Sequence, residues 1–241
     1  MRKQIAVLML ILSLLSGTAA SEAQAPAAAQ PEAVFFDDAV FVGDSITNQF
    51  QRFHATRNKA GEPVLGGARF LSAGAYSLYL ASLEKLQKDG AALKYRGKSV
   101  TVPQGLKAME AGKVFILLGM TDAPGRNPDQ DMYRYKKMVG LIQEAVPGIR
   151  VIALSVTPVA EKAQTYQTNQ RCINLFNERL EALCAELGIT YLDIATPLKN
   201  EQGFLNLDYS NDKKLHLNTT GLTIVSNTLH DFAREQLEPL P

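Results

Sequence analysis

Ala39-Val40-Phe41-Val42-Gly43-Asp44-Ser45-Ile46-Thr47 is a short apolar run that breaks abruptly into Gly-Asp-Ser before a helix-compatible sequence. The pattern predicts a buried strand feeding a helix, with one serine at the junction. A serine hydroxyl is a poor nucleophile until a base removes its proton and donors meet the oxyanion it creates. A strand end leading into a helix offers both access and free backbone N–H groups. The competing reading is a plain helix cap, because Asp and Ser favour N-cap positions and Gly often closes a strand.

Working outward, apolar runs alternate with helical patterns. A helix is expected around Asn48 to Asn58, a strand over Ala68 to Ala73, and a helix around Leu78 to Lys88. Tyr95 to Val102 reads as a small hairpin turning at Arg96-Gly97, followed by a short helix from Gln104 to Ala111. Val114-Phe115-Ile116-Leu117-Leu118 is the strongest strand signal, a continuous apolar run of the kind buried on both faces. Next come a helix Asp131 to Val146, a strand Arg150 to Val156, a helix Asn169 to Leu187, a strand Ile189 to Leu192 and a last helix Thr219 to Leu237. Strands separated by helices imply right-handed crossovers and a mostly parallel five-stranded sheet covered on both sides, a doubly wound α/β domain. The functional crevice of such sheets lies beyond the carboxyl ends of the strands. Gly43-Asp44-Ser45, Ser72-Ala73-Gly74, Gly119-Met120-Thr121-Asp122 and Thr157-Pro158 are therefore expected along one edge.

The first residues have a different character. Arg2 and Lys3 precede an apolar run from Ile5 to Leu15, and small residues follow through Gly17, Ala19 and Ala20, the three-part layout of a secretory signal. That run is too short for a permanent membrane anchor. Residues 1–20 are thus expected to be a signal peptide, with cleavage after Ala20, Ala23 or as late as Ala25, and the protein to be secreted or periplasmic. Residues 21–34, mostly Ala, Gln, Pro and Glu, read as a flexible leader to a single domain over 35–241. With 25 basic and 24 acidic residues mixed along the chain, net charge +1, there is no electrostatic footprint for nucleic acid or an anionic membrane. Cys172 and Cys184 fall on one predicted helix, about 18 Å apart, far beyond disulfide reach, and are expected to be buried free thiols. Three scattered histidines without close His-Glu or Cys pairs indicate no metal site, no glycine-rich phosphate loop appears, and no cofactor is expected.

A serine nucleophile wants a histidine base. His54 lies nine positions after Ser45, on the opposite face of the intervening helix, and His230 sits within the amphipathic last helix as a surface or packing residue. His216 follows the irregular polar stretch from Asn206 to Leu215 and precedes the last helix. A loop histidine with acidic neighbours is both exposed and orientable.

Gly43-Asp44-Ser45, Gly74 after the second strand, Gly119-Met120-Thr121-Asp122 after the third and His216-Leu217-Asn218 near the end resemble the ordered blocks of the SGNH (GDSL) hydrolase family. The similarity covers nearly the whole chain after the leader. It implies a flavodoxin-like three-layer α/β/α fold, with Ser45 as nucleophile and His216 as base. It also implies oxyanion donors at the backbone N–H of Ser45 and of Gly74. Two positions depart from the family pattern. Thr121 stands where an asparagine amide would donate to the oxyanion, and loss of one such donor typically costs about 10² to 10³ in turnover. Lys213 stands three before the histidine, where the family has its aspartate, while Asp212 stands four before it. In a helical turn positions four apart face each other, so Asp212 is expected to orient His216. Asp208 and a backbone carbonyl are the other acceptors in reach. Asp44 and Asp122 read as structural acceptors for backbone N–H groups in the strand-end loops.

These residues point to an exported serine esterase or O-deacylase acting on a small-molecule or carbohydrate ester, such as acylated cell-wall material. An O-acyltransferase and a non-hydrolytic binding protein of the same fold are the alternatives.

Overall fold

Side chains alternate along the central strands and divide the interior into two cores. The computed structural model describes residues 31–62, 64–87, 91–123, 127–165 and 169–238. The expected signal peptide, residues 1–20, and leader residues 21–30 lie outside the described residues.

The chain runs through α1 (Pro31–Val34), β1 (Ala39–Gly43), α2 (Ser45–Lys59), β2 (Arg69–Ser72), α3 (Leu78–Ala81), the hairpin of β3 (Leu93–Tyr95) and β4 (Lys98–Val100), and α4 (Val102–Ala108). It continues through β5 (Lys113–Leu117), α5 (Pro128–Ala145), β6 (Arg150–Leu154), α6 (Gln170–Leu187), β7 (Thr190–Leu192) and α7 (Thr219–Leu237). The main sheet has the order β2-β1-β5-β6-β7 and every neighbouring pair in it is parallel. This is the doubly wound, flavodoxin-like arrangement expected from the sequence. The connection after β1 leads to β2 on one side and the chain then returns to β5 on the other, so β1 stands at the switch point of the sheet. Gly43, its last residue, lies opposite Ser72 of β2 and Leu117 of β5.

Val40, Val42, Val114 and Ile116 face one core, shared with Tyr135 and Met138 of α5 and Phe176 of α6. Ala39, Phe41, Phe115 and Leu117 face the other, with Phe50 of α2 and Val225 and Leu229 of α7. The Phe41 and Phe115 rings stack with centroids 4.7 Å apart. Burying each such ring contributes about 1.5–3 kcal/mol, and these strands tie β1 to the middle of the sheet.

The structure departs from the sequence expectations in three places. The helix expected over Leu78 to Lys88 ends at Ala81, where Ser82 Oγ donates to the Tyr79 carbonyl at 2.9 Å and closes the turn. Residues 31–34, assigned by sequence to the leader, form α1, with Ala33 buried and Glu32 bonded to Arg234 Nε of α7 at 3.1 Å. Both cysteines are free thiols, but only Cys184 is buried; Cys172 sits near the start of α6 on a half-exposed face. Burial pushes the Cys184 thiol up to about 12, which makes it a packing residue.

Candidate active site

Ser45 is the first residue of α2, and the residues before it explain its position. Asp44 caps the helix, its carboxylate accepting from Ile46 N at 2.9 Å. The helix cap falls on Asp44, which leaves Ser45 at the strand-to-helix junction as the first helical residue. Gly43 is required by close approach: a Cβ there would lie 1.9 Å from Thr47 Oγ1 and 2.5 Å from the Leu117 carbonyl oxygen. Burial raises the Asp44 carboxyl to about 6, against the opposing Ile46 N–H, and the nearby charge of Asp122 pushes the same way.

Of the three histidines, His216 is the one that reaches Ser45. Ser45 Oγ lies 3.2 Å from His216 Nε2, and His216 Nδ1 lies 2.6 Å from Asp212 Oδ2. Asp212 Oδ1 accepts from the backbone N–H groups of Lys214, Leu215 and His216 at 2.8, 3.1 and 3.2 Å. Lys213 has a φ of 57°, the left-handed bend that turns the chain back so that Asp212 meets His216 four residues on. Burial pulls the Asp212 carboxyl upward, but the His216 ring and the three backbone donors outweigh it and hold the group at about 2. An ionised Asp212 requires a hydrogen on Nδ1, which leaves the Nε2 lone pair facing the Ser45 hydroxyl. The arrangement can move a proton from Ser45 Oγ to His216 and hold the resulting imidazolium against a carboxylate.

The other predicted residues fall where the topology puts them. Ala73 N donates to the Gly43 carbonyl at 3.2 Å, so the loop carrying Gly74 adjoins Ser45, and a Cβ on the exposed Gly74 would meet no atom within 4 Å. Thr121 is exposed at the same edge, beyond the β5 residue Leu117 that pairs with Gly43. Asp122 is fully buried and accepts from Leu78 N at 2.9 Å, tying the Thr121 loop to the helix after Gly74. Asp208 turns its backbone carbonyl to Asn218 Nδ2 at 2.8 Å. His54 is buried against Asn58, 3.0 Å away, and His230 packs on Phe36 with its ring bonded to the Val64 carbonyl. Among the described residues no group of three or more His, Cys, Asp or Glu is placed to hold a metal ion.

Two residues were not singled out by sequence. Ser210 is buried, its hydroxyl 3.2 Å from Asp212 Oδ1 and 3.1 Å from the His216 carbonyl. Gln49 bonds to both backbone groups of Leu217, next to His216. The only sequence signal for Gln49 is its place one helical turn after Ser45.

The sequence pattern of the GDSL-like lipase/acylhydrolase family matches residues 41–224. Among curated proteins no sequence relative matches the chain. Among solved structures, a GDSL-like lipase from Bacteroides thetaiotaomicron is 20% identical, with a TM-score of 0.62, over 83% of this chain and 88% of that one. A lipase/acylhydrolase from Enterococcus faecalis is 14% identical, with a TM-score of 0.58, over 84% and 98%. A carbohydrate esterase family 3 protein from Talaromyces cellulolyticus is 14% identical, with a TM-score of 0.55, over 84% and 99%. At these identities the likeness is one of fold. The chain belongs to the GDSL-like lipase/acylhydrolase family.

Proposed function

We propose that the protein is an exported serine esterase or O-deacylase that cleaves carboxylic esters through an acyl-Ser45 intermediate. The observation that carries this reading is the continuous hydrogen-bonded chain from Ser45 Oγ through His216 to Asp212. Ser45 Oγ attacks the ester carbonyl while His216 Nε2 takes its proton. The backbone N–H groups of Ser45 and Gly74, with the Thr121 hydroxyl, receive the oxyanion. His216 passes the proton to the departing alcohol, then takes one from a water molecule that attacks the acyl-Ser45 carbonyl, and returns it to Ser45 as the acid leaves. The basic and apolar residues of the first twenty positions support export, and the carbohydrate esterase among the similar structures supports an acylated carbohydrate as substrate.

A fluorophosphonate probe tests the reading on the mature protein. Labelling is expected in the wild type, absent in Ser45→Ala, and strongly slowed in His216→Ala. A folded wild type that takes no label would sink the hydrolase and leave a binding protein of the same fold. An acyltransferase would label equally but give a transfer product when a sugar acceptor is added to the ester.

A further inference from the structure

We propose that Gln49 is a positioning residue that fixes the direction in which His216 leaves its loop, and with it the alignment of the imidazole on Ser45. The inference rests on the reading of Ser45 as nucleophile. Gln49 Oε1 accepts from Leu217 N at 3.2 Å and its Nε2 donates to the Leu217 carbonyl at 3.4 Å. Leu217 N needs an acceptor and its carbonyl needs a donor, so one orientation of the amide satisfies both. Both bonds are long, so the pair serves more to orient the Leu217 backbone than to add binding strength.

Leu217 follows His216 directly, and Gln49 follows Ser45 by one turn on the same face of α2. The side chain thus refers the histidine to the helix turn that carries the serine. The loop's internal bonds cannot do this. Ser210 Oγ to the His216 carbonyl, Asn211 N to the same carbonyl and Asp212 to the His216 ring all fix the loop to itself. The Leu217 side chain is buried in the core beside α2, which holds the loop in place without defining its rotation. On the outer side, a groove of about 570 Å³ opens behind Gln49 and Leu217, bordered by Arg52, Phe53 and Asn218.

Removing both bonds while keeping volume, as Gln49→Met does, should tilt His216 and leave the fold intact. A misplacement of about 1 Å in a reacting group costs roughly 10²-fold in rate. The test compares the second-order rate of fluorophosphonate labelling in wild type, Gln49→Met and Gln49→Glu, with circular dichroism and the low-field Nδ1–H proton resonance of His216 recorded for each. The expected result is about a 10- to 100-fold slower labelling of Gln49→Met, a smaller loss in Gln49→Glu, which keeps the acceptor for Leu217 N, and an Nδ1–H resonance retained in both. Labelling of both variants within twofold of wild type would overturn the inference. So would loss of the Nδ1–H resonance or of the fold in both, since Gln49 would then support the loop or the fold as a whole. An unlabelled wild type is a separate result: it overturns the reading of Ser45 and the inference with it.

Discussion

Asp212 and His216 meet at 2.6 Å across a turn whose second residue, Lys213, lies in the left-handed region with φ 57°. A carboxylate four residues before the histidine therefore reaches its ring, because the bend at Lys213 turns the chain back toward it. The Lys213 side chain points elsewhere, its Nζ donating to the Leu207 carbonyl at 2.7 Å. Asp212→Ala should lower kcat by about 10² to 10⁴ with little change in KM. Adding Lys213→Asp to Asp212→Ala should not restore it. Steady-state kinetics on a p-nitrophenyl ester checks both statements, and recovery in the double variant would refute the assignment of the acid.

On the proposed reading, Thr121 would offer the oxyanion a short hydroxyl, and an amide at this position would reach further. Since one such donor is worth about 10² to 10³ in turnover, Thr121→Asn should raise kcat by about tenfold or more. An unchanged or lower kcat in a folded variant would remove Thr121 from the oxyanion site.

How much of this was legible in the sequence depends on whether the cause is local. The ends of α7 follow from the Asn218 cap and an amphipathic repeat, and the β3–β4 turn follows from Arg96-Gly97, both of which take positive φ. The contacts of Ser45 with His216 and of His216 with Asp212 were readable for similar reasons: a strand–helix junction, a polar loop and a four-residue spacing. The short α3 was missed because Ser82 diverts the Tyr79 carbonyl, a choice that a helical pattern does not reveal. Ser210 hides its role in a turn whose closure, Asn211 N to the His216 carbonyl, is visible only once folded. Gln49 meets Leu217 across 168 positions, a contact made by the packing of α2 against the last loop.

Asp44 makes stability depend on pH. Burial holds its carboxyl at about 6 in the folded chain against an ordinary 3.8. Between these values the folded state binds more protons than the unfolded one, so the Asp44 contribution is fully present below about 3.8 and is lost as pH rises through about 6. The loss is of the order of 3 kcal/mol. Asp44→Asn keeps an acceptor for Ile46 N and cannot ionise, so its stability relative to wild type should increase from pH 4 to 7. Urea unfolding across that range measures the gap. A gap that stays constant, or narrows, would contradict a carboxyl whose ionisation burial opposes.

Gly43 holds the β1–α2 junction open for Thr47 and the Leu117 carbonyl. Gly43→Ala should destabilise the fold by about 1–3 kcal/mol or more, because the added methyl overlaps both. Thr47→Ala in that background should recover part of the loss and no more, since the Leu117 carbonyl belongs to the backbone of β5. Thermal unfolding of the wild type and the two variants decides the point, and a Gly43→Ala protein as stable as wild type would refute the packing argument.

The central claim is that Ser45 carries the acyl group. Rapid-quench mass spectrometry of the protein mixed with p-nitrophenyl acetate tests it most directly. An acetylated peptide containing Ser45 should appear within the first turnover, be absent in Ser45→Ala, and coincide with loss of turnover in that variant. Turnover that persists in Ser45→Ala, or an acetyl group carried by another residue, would contradict it.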